Sequence, residues 1–272
     1  METSSVIVVK LGGTEGVDFS AICADAAELL KAGKQLVFVH GGSVEANALG
    51  TALGVPPKFI TSPSGYTSRH TDPATMQVFL MAVNGKVNSL LTEQLHKLGI
   101  NALGLSGMDG RLLVATRKEA VQSVENGKRK IIRDDYTGKI ETVNLALLEM
   151  LLHAGYLPVI APLAVSLNGE ALNVDADRAA AMVAGALKAE TLILLTAVPG
   201  LMKHFPDENS LIKMLPKDQL PAALEMAQGR MKKKVLGSEE ALNLGVGKVI
   251  IADGRVQAPI SAALNGAGTL IQ

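Results

Sequence analysis

The chain has 272 residues, 48% of them hydrophobic but only 3% aromatic, and its 26 Lys+Arg balance 26 Asp+Glu. That length suits one large α/β domain or two fused lobes, with a core built from Ala, Val, Leu and Ile. Zero net charge leaves no footprint for nucleic acid or an anionic membrane, and the single Cys23 excludes an internal disulfide and a cysteine-rich metal site.

Val6-Ile7-Val8-Val9 reads as a buried parallel strand, closed by Lys10 and followed after Leu11 by Gly12-Gly13. Glycines let a backbone approach a ligand and turn N–H groups toward an anion. A lysine at that point either meets buried negative charge or snorkels its head to water, and the stretch alone leaves both open. Residues 18–32 follow helix spacing up to Gly33. A second strand over 36–39 repeats the design, with His40-Gly41-Gly42 behind it and Ser43 expected to cap a helix reaching about Leu53. Two such turns on one parallel sheet share the carboxyl edge, where open α/β sheets bind ligands.

Residues 58–72 lack periodicity. Arg69 there can grip a carboxylate through two parallel hydrogen bonds, or the loop is simply solvated surface. Asp72-Pro73 supplies an N-cap and a first helical residue for a helix expected to run to about Leu98. Strands are expected at 101–105 and 112–115, around a turn at 106–110. Residues 120–142 read as a hairpin region turning at Glu125-Asn126-Gly127, with Lys128, Arg129, Lys130 and Arg133 clustered in it. A helix at 144–153 and a buried strand at 156–162 follow. A tight hairpin at 167–172 delivers Asn173-Val174-Asp175-Ala176-Asp177 to an alanine-rich helix ending near Leu187. One acid at a helix start is an ordinary cap; two acids and an asparagine within five residues are harder to read that way. A strand at 191–195, the stretch Val198-Pro199-Gly200-Leu201, a helix from about Pro221 to Gly229-Arg230-Met231-Lys232-Lys233-Lys234, and strands at 249–252 and 269–271 complete the chain.

No apolar run reaches the roughly 18 residues of a membrane span and no secretory leader pattern is present, so a cytoplasmic protein is expected. The Walker and dinucleotide-binding glycine patterns are absent, as are zinc-type histidine spacing and the hydrolase nucleophile elbow. Lysines, glycine amides and an aspartate remain. That set suits phosphoryl transfer, where positioning and charge neutralisation do most of the catalysis.

The motifs Val9-Lys10-Leu11-Gly12-Gly13, Val39-His40-Gly41-Gly42, residues 105–110, residues 173–177 and residues 229–234 occur together in this order. On them the chain resembles the amino acid kinase superfamily, within it the acetylglutamate kinase group. The loop 65–72, Gln228-Gly229-Arg230-Met231 and Asp135-Tyr136-Thr137-Gly138 look like the branch that acts on aminoadipate carried by a small protein in lysine biosynthesis.

The resemblance implies an αβα sandwich around a mainly parallel open sheet, of the carbamate kinase-like kind. Residues 1–172 would bind the acyl acceptor and form a homodimer; residues 173–272 would bind ATP, with Mg²⁺ carried by ATP. Lys10 and Lys234 would neutralise the moving phosphate, and Asp177 would orient both. Gly12, Gly13, Gly41 and Gly42 would donate amides. Tyr66, Arg69 and Asn173 would hold the acceptor; Thr196, Gly200 and Gly229 would lie along the nucleotide. Ala197 departs from the Asp or Asn that family members often carry. The implied reaction phosphorylates the 6-carboxylate of L-2-aminoadipate attached to an acidic amino-group carrier protein. The rival readings are N-acetylglutamate kinase or carrier-linked glutamate kinase of arginine biosynthesis, and a non-catalytic nucleotide or amino acid sensor. The joint presence of Lys10, Asp177 and Lys234 argues against the sensor. Neither nucleic acid nor membrane is an expected partner. Asp177→Asn is expected to cost activity and spare the fold.

Overall fold

The computed structural model describes residues 5–12, 19–63, 67–125, 128–227 and 229–272; Gly13, Tyr66 and the 126–127 turn lie outside them. The expected α/β alternation is present. In order come β1 (Val6–Leu11), α1 (Phe19–Lys31), β2 (Gln35–His40), α2 (Ser43–Ala52), β3 (Phe59–Thr61), β4 (Thr67–Arg69), α3 (Pro73–Phe79), a π-helical segment (Leu80–Asn88) and α4 (Ser89–Lys97). Then follow β5 (Ala102–Ser106), β6 (Leu113–Arg117), β7 (Val121–Glu125), β8 (Lys128–Ile132), β9 (Gly138–Val143), α5 (Leu145–His153), β10 (Leu157–Ala161), β11 (Leu163–Val165), β12 (Ala171–Asn173) and α6 (Ala176–Ala186). The chain closes with β13 (Thr191–Thr196), β14 (Met214–Leu215), α7 (Leu220–Met226), α8 (Gly229–Asn243), β15 (Lys248–Asp253), α9 (Pro259–Leu264) and β16 (Thr269–Ile271).

An eight-stranded sheet in the order β14-β16-β15-β13-β1-β2-β10-β5 forms the centre, parallel except where β16 meets β15. Strand parity sorts its side chains. Val8, Val37, Val39, Leu192 and Leu194 pack on one face against α5, α6, α7 and α8. Ile7, Val9, Leu36, Phe38, Ile193 and Leu195 pack on the other against α1, α4 and α9. Each such fully buried aliphatic side chain contributes about 1.5–3 kcal/mol, so the two cores hold the three layers together. The sheet is the αβα sandwich that the resemblance implies.

The chain enters the sheet at β1, builds β2, β10 and β5 on one side, and only later adds β13, β15, β16 and β14 on the other. β1 and β13 are therefore neighbours whose connections leave in opposite directions, the position at which open α/β sheets place a ligand crevice. The expected lobe boundary at 172/173 falls inside β12, and the main sheet runs unbroken across β1 and β13.

Several local expectations are corrected. The 58–72 stretch contains a short antiparallel hairpin, β3 with β4. Within 120–142, only β7 and β8 form a hairpin; β9 pairs with β6 in a second, four-stranded sheet with β11 and β12. The long helix after Asp72 does run to Lys97, but its middle is π-helical. Ser43 is the first residue of α2, not its cap; Gly42 holds the cap position and no side chain bonds there. Asp72 caps α3 as its sequence position implies, accepting from the Thr75 N–H at 2.8 Å. Among the described residues no helix is long and apolar enough to cross a membrane.

Candidate active site

Lys10 is an even-numbered residue of β1, on the same strand face as Val8, so it points toward the layer of α6 and α8. That layer supplies its partner. Lys10 Nζ lies 2.9 Å from Asp177 Oδ1, and Lys234 Nζ lies 3.0 Å from both Asp177 oxygens. The three residues are 7%, 7% and 6% exposed for Lys10, Asp177 and Lys234. Three helix-start residues divide their tasks. Asp175 is the N-cap of α6, accepting from the Asp177 and Arg178 N–H groups, which frees Asp177 for the lysines. Helix α8 is strapped to α6 by Lys233–Asp175 at 3.3 Å and by a two-pronged Arg178–Glu240 pair, and this brings Lys234 over Asp177.

The electrostatics follow. Burial raises the Asp177 pKa, but the Lys10 and Lys234 charges and their hydrogen bonds outweigh it and hold the carboxyl well below the usual carboxylate range. Burial pulls Lys234 down to about 8, with the attraction of Asp177 opposing it and the neighbouring Lys10 charge adding to it. Two cations share one anion, so the cluster carries an excess positive charge in a dry place. Such a cluster is completed by a further anion. Of the two readings left open for Lys10, the snorkelling one is excluded, since its head is buried.

β1 and β2 pair in parallel with Leu11 opposite His40, so Gly12 and Gly41 emerge side by side at the carboxyl edge. The Gly41 N–H, an expected phosphate donor, is instead committed to the Leu11 carbonyl at 2.9 Å, because the strand ladder runs one residue further than the apolar pattern. Gly42 is buried, and a Cβ there would lie 2.9 Å from Val83 Cγ2 of the π-helical segment. Thr196 ends β13 on the other flank of β1, two residues beyond the level of Lys10. Gly200 lacks room for a side chain: a Cβ would stand 2.7 Å from Thr269 Oγ1, which itself accepts the Leu201 N–H at 2.9 Å. Gly229 takes a φ of 53° at the start of α8, five residues before Lys234.

The expected acceptor residues are built differently. Arg69 sits at the end of β4, with its guanidinium 5.0 Å from the Phe59 ring and 5.2 Å from the Phe79 ring, and it donates to Asn47 Oδ1. Asn173 Nδ2 donates to Thr71 Oγ1 at 3.0 Å. Thr71 donates its N–H to the buried Asp135 carboxylate at 2.8 Å, and Thr137 donates its hydroxyl to the same group. Arg117 lies 3.7 Å from the Tyr136 ring centre, donates to the Asp135 carbonyl and pairs with Glu170 at 3.1 Å. Asp135, Arg117 and Thr71 thus form a frame for Asn173 and the Arg69 hairpin that sequence reasoning missed as a site. Its one signal was the motif beginning at Asp135.

Among the described residues no group of three or more His, Cys, Asp or Glu is placed to hold a metal ion. Both oxygens of Asp177 are taken by lysines.

The chain matches the family model described as "Amino acid kinase family" over residues 5–253. It is 56% identical to a protein named "[LysW]-aminoadipate kinase" of Deinococcus radiodurans, over 98% of this chain and 91% of that one. It is 52% identical to a protein of the same name from Thermus thermophilus, over 98% of this chain and all (100%) of that one. A Nitrosopumilus maritimus protein, named as a candidate [LysW]-aminoadipate/[LysW]-glutamate kinase, is 39% identical over 96% of each chain. Among solved structures, N-acetylglutamate synthase of Neisseria gonorrhoeae superposes with a TM-score of 0.79 at 27% identity, over 98% of this chain and 59% of that one. Carbamate kinase of Giardia lamblia does so with a TM-score of 0.70 at 16% identity, over 100% of this chain and 99% of that one, which speaks for the fold alone.

Proposed function

This chain belongs to the amino acid kinase family, and we propose that it transfers the γ-phosphate of ATP to the 6-carboxylate of L-2-aminoadipate attached to an amino-group carrier protein, in lysine biosynthesis. The observation that carries the reading is the buried Lys10–Asp177–Lys234 cluster at the sheet's switch point. The two relatives above 50% identity, both named for [LysW]-aminoadipate, support the choice of substrate.

The chemistry needs no general base, because the acceptor carboxylate is ionised at neutral pH. Its oxygen attacks the γ-phosphorus, a new P–O bond forms, the bond to the β-phosphate oxygen breaks, and ADP leaves with that electron pair. The product is an acyl phosphate. The barrier is the approach of an anion to an anion. Lys10 and Lys234 oppose it with charge already desolvated and aimed, and Asp177 fixes where that charge sits. The amides of Gly12, Gly13 and Gly42 face the phosphoryl group, with Gly41 supplying close backbone approach. Thr196, Gly200 and Gly229 line the nucleotide on the 173–272 side. Tyr66, Arg69 and Asn173 hold the acceptor on the 1–172 side. Mg²⁺ fits as an ion held by the phosphates of ATP, since among the described residues no group of three or more His, Cys, Asp or Glu is placed to hold it, and it would supply further charge neutralisation.

The carrier is an acidic protein in this reading. β7 packs against β3, so the basic hairpin lies beside the hairpin that carries Arg69. Lys128, Arg129 and Lys130 are exposed along β8, and Arg133 just beyond it. A homodimer fits the outer strand β5, where Leu103 is exposed, and the neighbouring exposed Met81, Leu90 and Leu98. The cytoplasm is the expected compartment.

A coupled ADP-release assay with three acceptors tests the reading. Carrier-linked aminoadipate should give the highest kcat/KM. Preference for carrier-linked glutamate, the second substrate in the name of the Nitrosopumilus relative, would move the enzyme to that substrate. Preference for free N-acetylglutamate would remove the carrier from the account.

A further inference from the structure

The peptide between Gly41 and Gly42, at the end of β2, is held in one orientation. Gly42 is buried, and its N–H meets no acceptor among the described residues. Buried N–H groups are rarely left so, and one at the carboxyl edge of β2, the strand paired with the one that carries Lys10, calls for an anion. Its neighbours are all pinned. The Gly41 N–H is held by Leu11, and the Gly42 carbonyl accepts the Ala46 N–H at 2.9 Å. The peptide between Gly41 and Gly42 is pinned by a side chain: His40 Nδ1 lies 2.8 Å from the Gly41 carbonyl. In a trans peptide the C=O and the following N–H point in opposite directions, so holding one aims the other.

His40 is itself fixed. Asn88 Nδ2 lies 2.8 Å from the Val159 carbonyl, so this atom is the amide nitrogen and not the oxygen. The same nitrogen is 3.0 Å from His40 Nε2, which must therefore accept. The hydrogen-bond network thus assigns the neutral tautomer with its proton on Nδ1, directed at the Gly41 carbonyl. Burial, and secondarily the Lys10 charge, lower the ring's pKa to about 4 against the pull of that carbonyl, so the neutral form prevails at physiological pH. Asn88 is boxed in turn: a Cβ on Gly104 would lie 2.3 Å from Asn88 Oδ1.

The π-helical segment explains why one helix reaches both residues. Val83 packs on Gly42 and Asn88 bonds His40, and they are five residues apart. In an α-helix that spacing points the two side chains about 140° apart. The i→i+5 ladder over Leu80–Asn88 brings them to one side.

We infer that His40 and Asn88, presented by the π-helical segment, are positioning residues that aim the Gly42 N–H at the phosphoryl group. The inference rests on the kinase reading above. It concerns the orientation of a single peptide, not any contact of His40 with substrate.

Two substitutions separate aiming from packing. His40→Asn places an amide N–H near the Nδ1 position and keeps the bond to Gly41; His40→Gln reaches toward Nε2 and loses it. His40→Asn should keep kcat within about threefold of wild type, while His40→Gln loses about 10²-fold, the order for a misaimed or missing oxyanion donor. The KM for ATP should move less than threefold in both. Equal losses in both variants, or wild-type kcat in His40→Gln, would overturn the inference. Nitrogen NMR of the wild-type imidazole decides independently of activity and of whether variants fold. A proton on Nδ1 with Nε2 bare is expected, and the opposite tautomer overturns the aiming role. Wild-type enzyme that turns over no carboxylate acceptor would instead fault the proposed reaction, with the tautomer measurement still standing.

Discussion

The two sides of the crevice are built on different principles. On the phosphate side, a strand end and two helix starts bring Lys10, Asp177 and Lys234 into one buried cluster, and the positions are set by a sheet and two cores. On the acceptor side, Arg69 and Asn173 stand on three-residue strands, tied down by side-chain bonds through Thr71, Asp135 and Arg117. The first side is rigid because its backbone is regular; the second is held at a few named hydrogen bonds. In the proposed reaction this difference separates chemistry from selectivity. A charge cluster that must not reorganise during transfer belongs on the scaffold, and an acceptor pocket that differs between substrates belongs on loops.

The largest effect is expected from Asp177→Asn, which leaves two buried ammonium groups facing a neutral amide. Activity should fall by at least the 10²–10³ typical of one lost transition-state donor, and stability should fall by about 3–5 kcal/mol, the order for a broken buried pair. This departs from the expectation from sequence that the fold would be spared, because both buried lysines pair with this carboxylate. Matched kinetics and thermal melts check it, and a variant that melts like wild type would put the lysines in water. Next come Lys10→Ala and Lys234→Ala. Each should lower kcat by about 10²–10³ with a much smaller change in the KM for ATP. A raised KM with wild-type kcat would assign that lysine to ground-state binding.

The pH dependence separates the two sides without mutation. Lys234 is charged below its pKa of about 8 and neutral above it. The rate needs the charged form, so kcat/KM, which reports the free enzyme, should fall as pH rises through about 8. With ATP bound, added negative charge favours the ammonium, and the same limb in kcat should move to higher pH. A limb at the same pH in both parameters would mean that bound phosphate does not sense Lys234. The smallest effect is expected on the acceptor side. Lys128 and Lys130 share one face of β8, so Lys128→Glu with Lys130→Glu concentrates the change. It should lower kcat/KM for carrier-linked substrate several-fold at low salt, leave kcat nearly unchanged, and lose its effect as salt is raised, as steering does. Unchanged kcat/KM at low salt would take this hairpin out of the docking surface.

The same contrast governs what could be read from the chain before its structure. Val6–Val9 and the strand before His40 announce themselves through β-branched runs, and Asp72-Pro73 through cap chemistry, because regular elements repeat a local rule. The buried trio was legible as motifs, with the geometry that joins Asp177 to Lys10 arising only from the meeting of α6 with β1. The β3–β4 hairpin escaped notice because its two strands have three residues each and none of those residues is fully buried, so there is no alternation to detect. The π-helical stretch escaped because its ladder depends on tertiary contacts of Val83 and Asn88. Asn84, Gly85 and Asn88 are poor helix formers in mid-helix, but none of them alone specifies an i→i+5 ladder. The Thr71–Asp135 and Arg117–Asp135 hydrogen bonds span 64 and 18 residues of separation, which no pattern of spacing encodes.

The claim at the centre is that a carboxylate oxygen, presented opposite the Lys10–Asp177–Lys234 cluster, takes the γ-phosphate. Trapping with hydroxylamine tests it most directly, because an acyl phosphate is converted to a stable hydroxamate. Wild-type enzyme, ATP and carrier-linked L-2-aminoadipate should yield hydroxamate on the 6-carboxyl in proportion to ADP formed, and Lys234→Ala should lose both together. ADP released with no hydroxamate, the phosphate passing to water, would contradict the account.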